Sequence, residues 1–137
     1  MTRSQRAAAP GTVLLVEDDF DARAIYAACL RHVGHRVIEA PTKKDADDAM
    51  RAEAPDVVVL DCRLPDGDGL ELLTRWRQRA MPRVPVIVVT AHRERQDIGA
   101  AILAGADAFV PKPCPGHVLA EHVARAIAAA APRRPGS

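Results

Sequence analysis

The sequence predicts an α/β domain built on a doubly wound, five-stranded parallel sheet with strand order 2-1-3-4-5. Three observations carry this expectation. Five short strand-like runs alternate with stretches of helical period, and those at 12–16, 57–60 and 86–90 are apolar at consecutive positions, as in strands covered by helices on both faces. Four of the runs lead into acidic, hydroxyl or ammonium side chains, at the carboxyl ends where open parallel sheets bind their ligands. Right-handed crossovers between successive strands then make 2-1-3-4-5 the leading order.

Residues 12–16 (Thr-Val-Leu-Leu-Val) give β1, which runs into Glu17-Asp18-Asp19. From Asp21, Ile25, Cys29 and Val33 recur every four residues with Ala22, Tyr26 and Leu30 beside them, an amphipathic helix α1 closed by Gly34. A short β2 covers 36–39. Pro41-Thr42 opens α2, which runs to Ala54, with Thr42 and Asp45 spaced as a capping box. The run 57–60 (Val-Val-Val-Leu) is β3, the centre of the chain's organisation, and it leads directly into Asp61 and a loop rich in Pro, Gly and Asp. Helix α3 follows over 69–79, burying Leu70, Leu73 and Trp76. Pro82 and Pro85 precede β4, residues 86–90, which ends in Thr90. Helix α4 spans 93–104 with Ile98, Ala101 and Ile102 inside and Gly105 as terminator. Strand β5 covers 106–110 and ends at Pro111-Lys112-Pro113; α5 covers 115–131, with Leu119, Val123 and Ile127 on one face. Residues 1–10 and 132–137 read as disordered tails around a single domain over 11–131.

Composition narrows the function. A chain of 137 residues is long enough to bury roughly two thirds of its unfolded surface without disulfides or metals. Cys29, Cys62 and Cys114 form an odd set with no C-x-x-C spacing, which suggests neither a disulfide framework nor a zinc site and fits a reducing cytoplasm. No apolar run approaches the ~18 residues of a membrane span. The net charge of +1 owes much to Arg3, Arg6, Arg133 and Arg134; without them 15 basic residues face 18 acidic ones, which argues against a nucleic-acid footprint.

In the 2-1-3-4-5 order, β1 and β3 are neighbours at the topological switch point, so Glu17, Asp18 and Asp61 converge on one crevice, with Thr90 and Lys112 ending the next two strands. Two carboxylates ~5 Å apart repel by about 3 kcal/mol at an effective dielectric of 20, so three together require a cation. An all-oxygen donor set suits Mg²⁺, bound directly by Asp18 and Asp61 and through water by Glu17. A carboxylate, a divalent metal, a hydroxyl and an ammonium around one point are the components of phosphoryl transfer, with Asp61 as the nucleophile.

These residues resemble those of the response-regulator receiver domains of two-component signalling, of the chemotaxis-regulator-like, single-domain kind, with a flavodoxin-like (βα)5 fold. Glu17-Asp18 match the family's acidic pair, Asp61 its phosphoacceptor, Leu64-Pro65-Asp66-Gly67-Asp68-Gly69 the following loop, and Thr90-Ala91 the switch hydroxyl and its small neighbour. Phe109 matches the switch aromatic, where many members carry Tyr, and Lys112-Pro113 the lysine and its proline. The resemblance implies that the backbone carbonyl of Arg63 is a further Mg²⁺ ligand, that the Lys112-Pro113 bond is cis, and that Arg63 and His92 tune the phosphoryl lifetime. It implies a cytoplasmic signalling module that catalyses its own phosphorylation and dephosphorylation and is not otherwise an enzyme. A histidine kinase or phosphotransfer protein supplies the phosphoryl group, meeting the α1 face with Tyr26 and the Pro113-Cys114-Pro115 turn. A downstream protein, or a second copy, meets the surface of α4, β5 and α5, including Arg93, Glu94, Arg95 and Asp97. Direct DNA binding and membrane association are not expected. The alternatives are a phosphorelay shuttle and a receiver fragment of a larger regulator or hybrid kinase.

Other readings are poorer. An aspartate-nucleophile phosphatase carries a second Asp two residues after the first, where this chain has Arg63. A scaffold that has lost phosphorylation has no reason to keep Asp18, Asp61, Thr90 and Lys112 together. Asp19, Asp66 and Asp68 read as loop residues, His32, His35, His117 and His122 as surface histidines, and Cys62, pointing away from Asp61, as packing.

Overall fold

The computed structural model describes residues 10–79, 83–91 and 95–130, without the side chains of Arg95 and Gln96. The predicted architecture is present. Strands β1 (Thr12–Val16), β2 (Arg36–Ala40), β3 (Val57–Leu60), β4 (Val86–Thr90) and β5 (Ala108–Pro111) form one sheet in the order β2-β1-β3-β4-β5, every neighbouring pair parallel. Helices α1 (Phe20–His32), α2 (Lys43–Glu53), α3 (Gly69–Gln78), α4 (Arg95–Ala104) and α5 (Gly116–Ala130) connect and follow the strands. The expected tails, apart from Pro10, and the first two expected residues of α4 lie outside the described residues.

The side-chain period of two divides the strands between two cores. Val13, Leu15, Val57, Val59, Ile87, Val89 and Val110 face α1 and α5, where they meet Tyr26, Ala27, Leu30, Leu119 and Val123. Leu14, Val16, Val58, Leu60, Val86 and Val88 face the other way onto α2, α3 and α4, against Ala46, Met50, Leu72, Leu73, Trp76 and Ala101. Each central strand therefore has no polar face, which is why its sequence is a continuous apolar run.

The helix starts follow from capping. Asp19 accepts from the Ala22 amide, so α1 begins one residue earlier than its apolar period suggests. Thr42 accepts from the Asp45 amide, as the capping spacing predicts, and Asp68 accepts from the Leu70 amide to start α3. Asp66 reaches across to accept from the amides of both Lys43 and Lys44, capping α2 from a different loop. These loop aspartates have structural roles.

Several expected faces are corrected. The buried side of α1 is centred on Tyr26, Ala27 and Leu30, which leaves Ile25 59% exposed and Val33 on the surface. In α4, Ala101 is buried but Ile102 is exposed, and Asp97 is half-buried. His35 is not a surface residue: it is 6% exposed and its Nδ1 accepts from the Gly11 amide at 3.1 Å, fastening the entry to β1, and burial lowers its pKa. The loop after Asp61 contains a short antiparallel hairpin of Arg63–Leu64 with Gly67–Asp68, turned at Pro65-Asp66.

Candidate functional site

Strand β1 passes out of the sheet at Glu17 and Asp18, and β3 at Asp61. The Glu17 amide still donates to Ala40 O (3.1 Å) and the Asp61 amide to Val16 O (3.0 Å), so the backbone hydrogen bonds of the sheet fix both turns. The result is a compact acidic cluster in which a carboxylate oxygen from each of Glu17, Asp18 and Asp61 lies within 4.8 Å of the others. Glu17 and Asp61 are buried and Asp18 is exposed, so the cluster opens to solvent on one side.

From β5, Lys112 reaches into the cluster. Its Nζ pairs with Glu17 Oε1 and lies 3.2 Å from Asp61 Oδ2. The Lys112 amide donates to Thr90 O (2.9 Å), and the following bond to Pro113 is cis, as the family resemblance implies. Burial works against the Lys112 ammonium, but the Glu17 and Asp61 carboxylates outweigh it and raise its pKa, so it stays charged. One lysine does not neutralise three carboxylates. Burial, with the neighbouring Asp61 carboxyl, pushes Glu17 up to about 7 despite Lys112. Glu17 Oε2 is buried without a hydrogen-bond partner among the described residues. An unpartnered buried oxygen in an all-oxygen, solvent-open cluster is what a hard cation with retained waters needs, so the donor set fits Mg²⁺.

Of the remaining candidates, Thr90 is fully buried at the end of β4, and Phe109 is half-buried on β5 beside the core under α2–α4. The Arg63 amide donates to Asp61 Oδ1 (3.1 Å), while its side chain is exposed. His92, with Arg93 and Glu94, lies outside the described residues. Tyr26 is buried, its hydroxyl donating to Cys114 O (3.2 Å), so it supports the loop after Lys112 from within and offers no contact surface.

Two further residues support the site. Arg23 Nη1 donates to the carbonyls of Glu17 (3.0 Å) and Asp18 (3.3 Å) while its Nε pairs with Glu39 (3.3 Å), which clamps the acidic turn from α1. Gly69, at the start of α3, donates its amide to Cys62 O (2.7 Å), and a Cβ there would stand 2.3 Å from Asp61 O. Only glycine permits this approach. Arg23 depends on tertiary position and has no sequence signal, whereas Gly69 belongs to the loop motif already quoted.

Comparison with known proteins agrees with this geometry. The family model described as "Response regulator receiver domain" matches residues 13–124. The transcriptional regulatory protein PhoP of Escherichia coli K12 is 39% identical over 101 residues, 74% of this chain and 45% of PhoP. The transcriptional regulatory protein AfsQ1 of Streptomyces coelicolor is 37% identical over 108 residues, 79% of this chain and 47% of its own length. The chain thus spans about half the length of these curated relatives. Among solved structures, the BeF3-activated DrrB receiver domain superposes with a TM-score of 0.77 at 29% identity, covering 88% of this chain and 99% of that one. A CheY-like response regulator receiver domain protein from Methanospirillum hungatei JF-1 gives 0.82 at 25% identity, covering 89% and 97%. The chain belongs to the response regulator receiver domain family.

Proposed function

We propose that Asp61 accepts a phosphoryl group from a histidine kinase or phosphotransfer protein, and that the phosphorylated domain signals through altered protein contacts. The observation that carries this reading is the cluster of Glu17, Asp18 and Asp61 oxygens within 4.8 Å of one another with Lys112 paired to two of them. An Asp61 oxygen attacks phosphorus; the new O–P bond forms as the donor's P–N bond breaks, and the leaving imidazole is protonated from solvent. Lys112 neutralises charge on the phosphoryl oxygens, and Thr90 donates a hydrogen bond to one of them. Glu17, Asp18, Asp61 and the Arg63 carbonyl hold Mg²⁺, which supplies further charge neutralisation when bound. Hydrolysis reverses the acyl phosphate: water attacks phosphorus and the Asp61 O–P bond breaks, with Arg63 and His92 tuning the rate.

Phosphorylation adds up to two negative charges at Asp61. As Thr90 moves toward them, Phe109 turns inward and the surface of α4, β5 and α5 changes shape. Leu103 on α4 is 89% exposed and Ile102 is exposed beside it, so this surface has apolar residues to offer a partner or a second copy. The α1 face, with exposed Phe20 and Ile25, receives the phosphoryl donor. We place the protein in the cytoplasm, consistent with the lack of any helix long and apolar enough to cross a membrane among the described residues. The acidic balance of residues 11–131 argues against direct DNA binding by the domain. A second reading, a receiver acting within a larger regulator or as a relay shuttle, is favoured by one observation: the chain matches less than half of PhoP's length.

Radiolabel transfer from phosphorylated kinases tests the reading. We expect Mg²⁺-dependent label on the wild type and none on Asp61→Asn. Label retained by Asp61→Asn would refute the assignment.

A further inference from the structure

Arg23 on α1 grips the backbone on both sides of Asp18. Its Nη1 donates to Glu17 O at 3.0 Å and to Asp18 O at 3.3 Å. These carbonyls belong to the two peptide units that flank the Asp18 Cα, and each unit is planar. Holding both fixes the two soft dihedrals of Asp18, and with them the direction in which its side chain leaves the chain. Asp18 is the exposed member of the acidic cluster, so the protein interior does little to aim its carboxylate.

The guanidinium is itself held. Its Nε pairs with Glu39 Oε1 at 3.3 Å, the other Glu39 oxygen takes Arg31 at 3.2 Å, and the Phe20 ring centre lies 5.6 Å from the Arg23 central carbon. Glu39 adjoins Ala40 on β2, whose carbonyl accepts from the Glu17 amide, so the clamp and the sheet meet at the same turn. The Arg23 side chain is only 15% exposed, which sets these charge-assisted bonds apart from those of a solvated surface pair.

A guanidinium beside a cation site acts in two opposite directions. Its charge repels the ion, while its grip on the turn removes an ordering cost from binding. Glu39 reduces the first effect without touching the second. We infer that Arg23 is a positioning residue for the metal site: by fixing the peptide units around Asp18 it presets that carboxylate for Mg²⁺, and the Glu39 pair aims and offsets the guanidinium so that positioning outweighs repulsion. This rests on the reading of Glu17, Asp18 and Asp61 as Mg²⁺ ligands.

The test is a Mg²⁺ titration, without phosphodonor, followed by the amide NMR signals of residues 17, 18 and 61 in wild type, Arg23→Met, Arg23→Lys and Glu39→Gln. Arg23→Met keeps the apolar stem but no donor, and should weaken Mg²⁺ binding about ten- to hundredfold. Arg23→Lys keeps a charge but not the fork that joins the turn to Glu39, and should recover only part of that loss. Glu39→Gln keeps an acceptor for Nε but loses the offsetting charge, and should weaken binding by less than Arg23→Met. In acetyl phosphate reactions, the half-saturating Mg²⁺ should rise in Arg23→Met by more than the rate at saturating Mg²⁺ falls. Affinity equal to or tighter than wild type in Arg23→Met, as charge alone predicts, would overturn the inference and leave the ligand assignment standing. If Arg23→Met does not fold, unweakened binding in both Arg23→Lys and Glu39→Gln would overturn it equally. A wild type whose three amides ignore Mg²⁺ would overturn the inference and the ligand assignment together.

Discussion

Glu17 is the residue whose state depends most on its surroundings. It is 2% exposed, shares the Lys112 ammonium with Asp61, and is pushed up to about 7 mainly by burial. A carboxyl whose folded pKa lies above its unfolded value stabilises the fold in its protonated form, so without divalent cation stability should fall as pH rises from about 4.5 to 7. Glu17→Gln should remove most of that slope and, above pH 8, raise metal-free stability by on the order of 2 kcal/mol while abolishing most stabilisation by Mg²⁺. Thermal denaturation across pH, with and without Mg²⁺, checks this; an unchanged slope in Glu17→Gln would contradict it. Gly69 imposes a different constraint. A methyl group there meets the Asp61 carbonyl, a backbone atom with no flexible side chain to yield, so Gly69→Ala should cost about 1–3 kcal/mol in urea denaturation and slow phosphorylation by shifting Asp61.

At the scale of elements, the helices are joined by a few polar hubs laid over apolar contacts. Asp47 on α2 accepts from Trp76 Nε1 (3.0 Å) on α3 and from Arg79 (2.8 Å), and pairs with Arg51 (3.1 Å). The Arg79 guanidinium and the other donors hold its pKa below the usual carboxylate value, so this contribution is present above the unfolded pKa and is lost only as pH falls through the lowered one. Asp47→Ala leaves the indole N–H without its acceptor and should cost about 1–3 kcal/mol, with a change in Trp76 fluorescence and little effect on phosphorylation. The three central strands were readable because each carries one unambiguous message, apolar on both faces and then a polar terminus. The α1 face was harder to place, because Ile25 and Val33 continue an apolar stripe that competes with Tyr26, Ala27 and Leu30, and only the packing of α5 decides between them. The Arg63–Leu64 hairpin is too short to show any period, and His35 looks like a turn residue until Gly11 is brought against it.

At the scale of the whole molecule, the order 2-1-3-4-5 brings the ends of β1, β3, β4 and β5 to one edge, so residues 95 positions apart, Glu17 and Lys112, become an ion pair. The acidic cluster and the lysine were legible because their chemistry marks strand ends. One support, Arg23, was not, because its hydrogen bonds to the acidic turn depend on an approach that only the folded chain creates. The role proposed for Asp61, the single nucleophile for phosphoryl transfer, is the one on which the others depend. The most direct measurement is intact mass after incubation with acetyl phosphate and Mg²⁺. One phosphoryl adduct is expected on the wild type, sensitive to chelation of the metal, and none on Asp61→Asn. An adduct of equal yield on Asp61→Asn, or a wild type that stays unmodified with Mg²⁺ present, would contradict it.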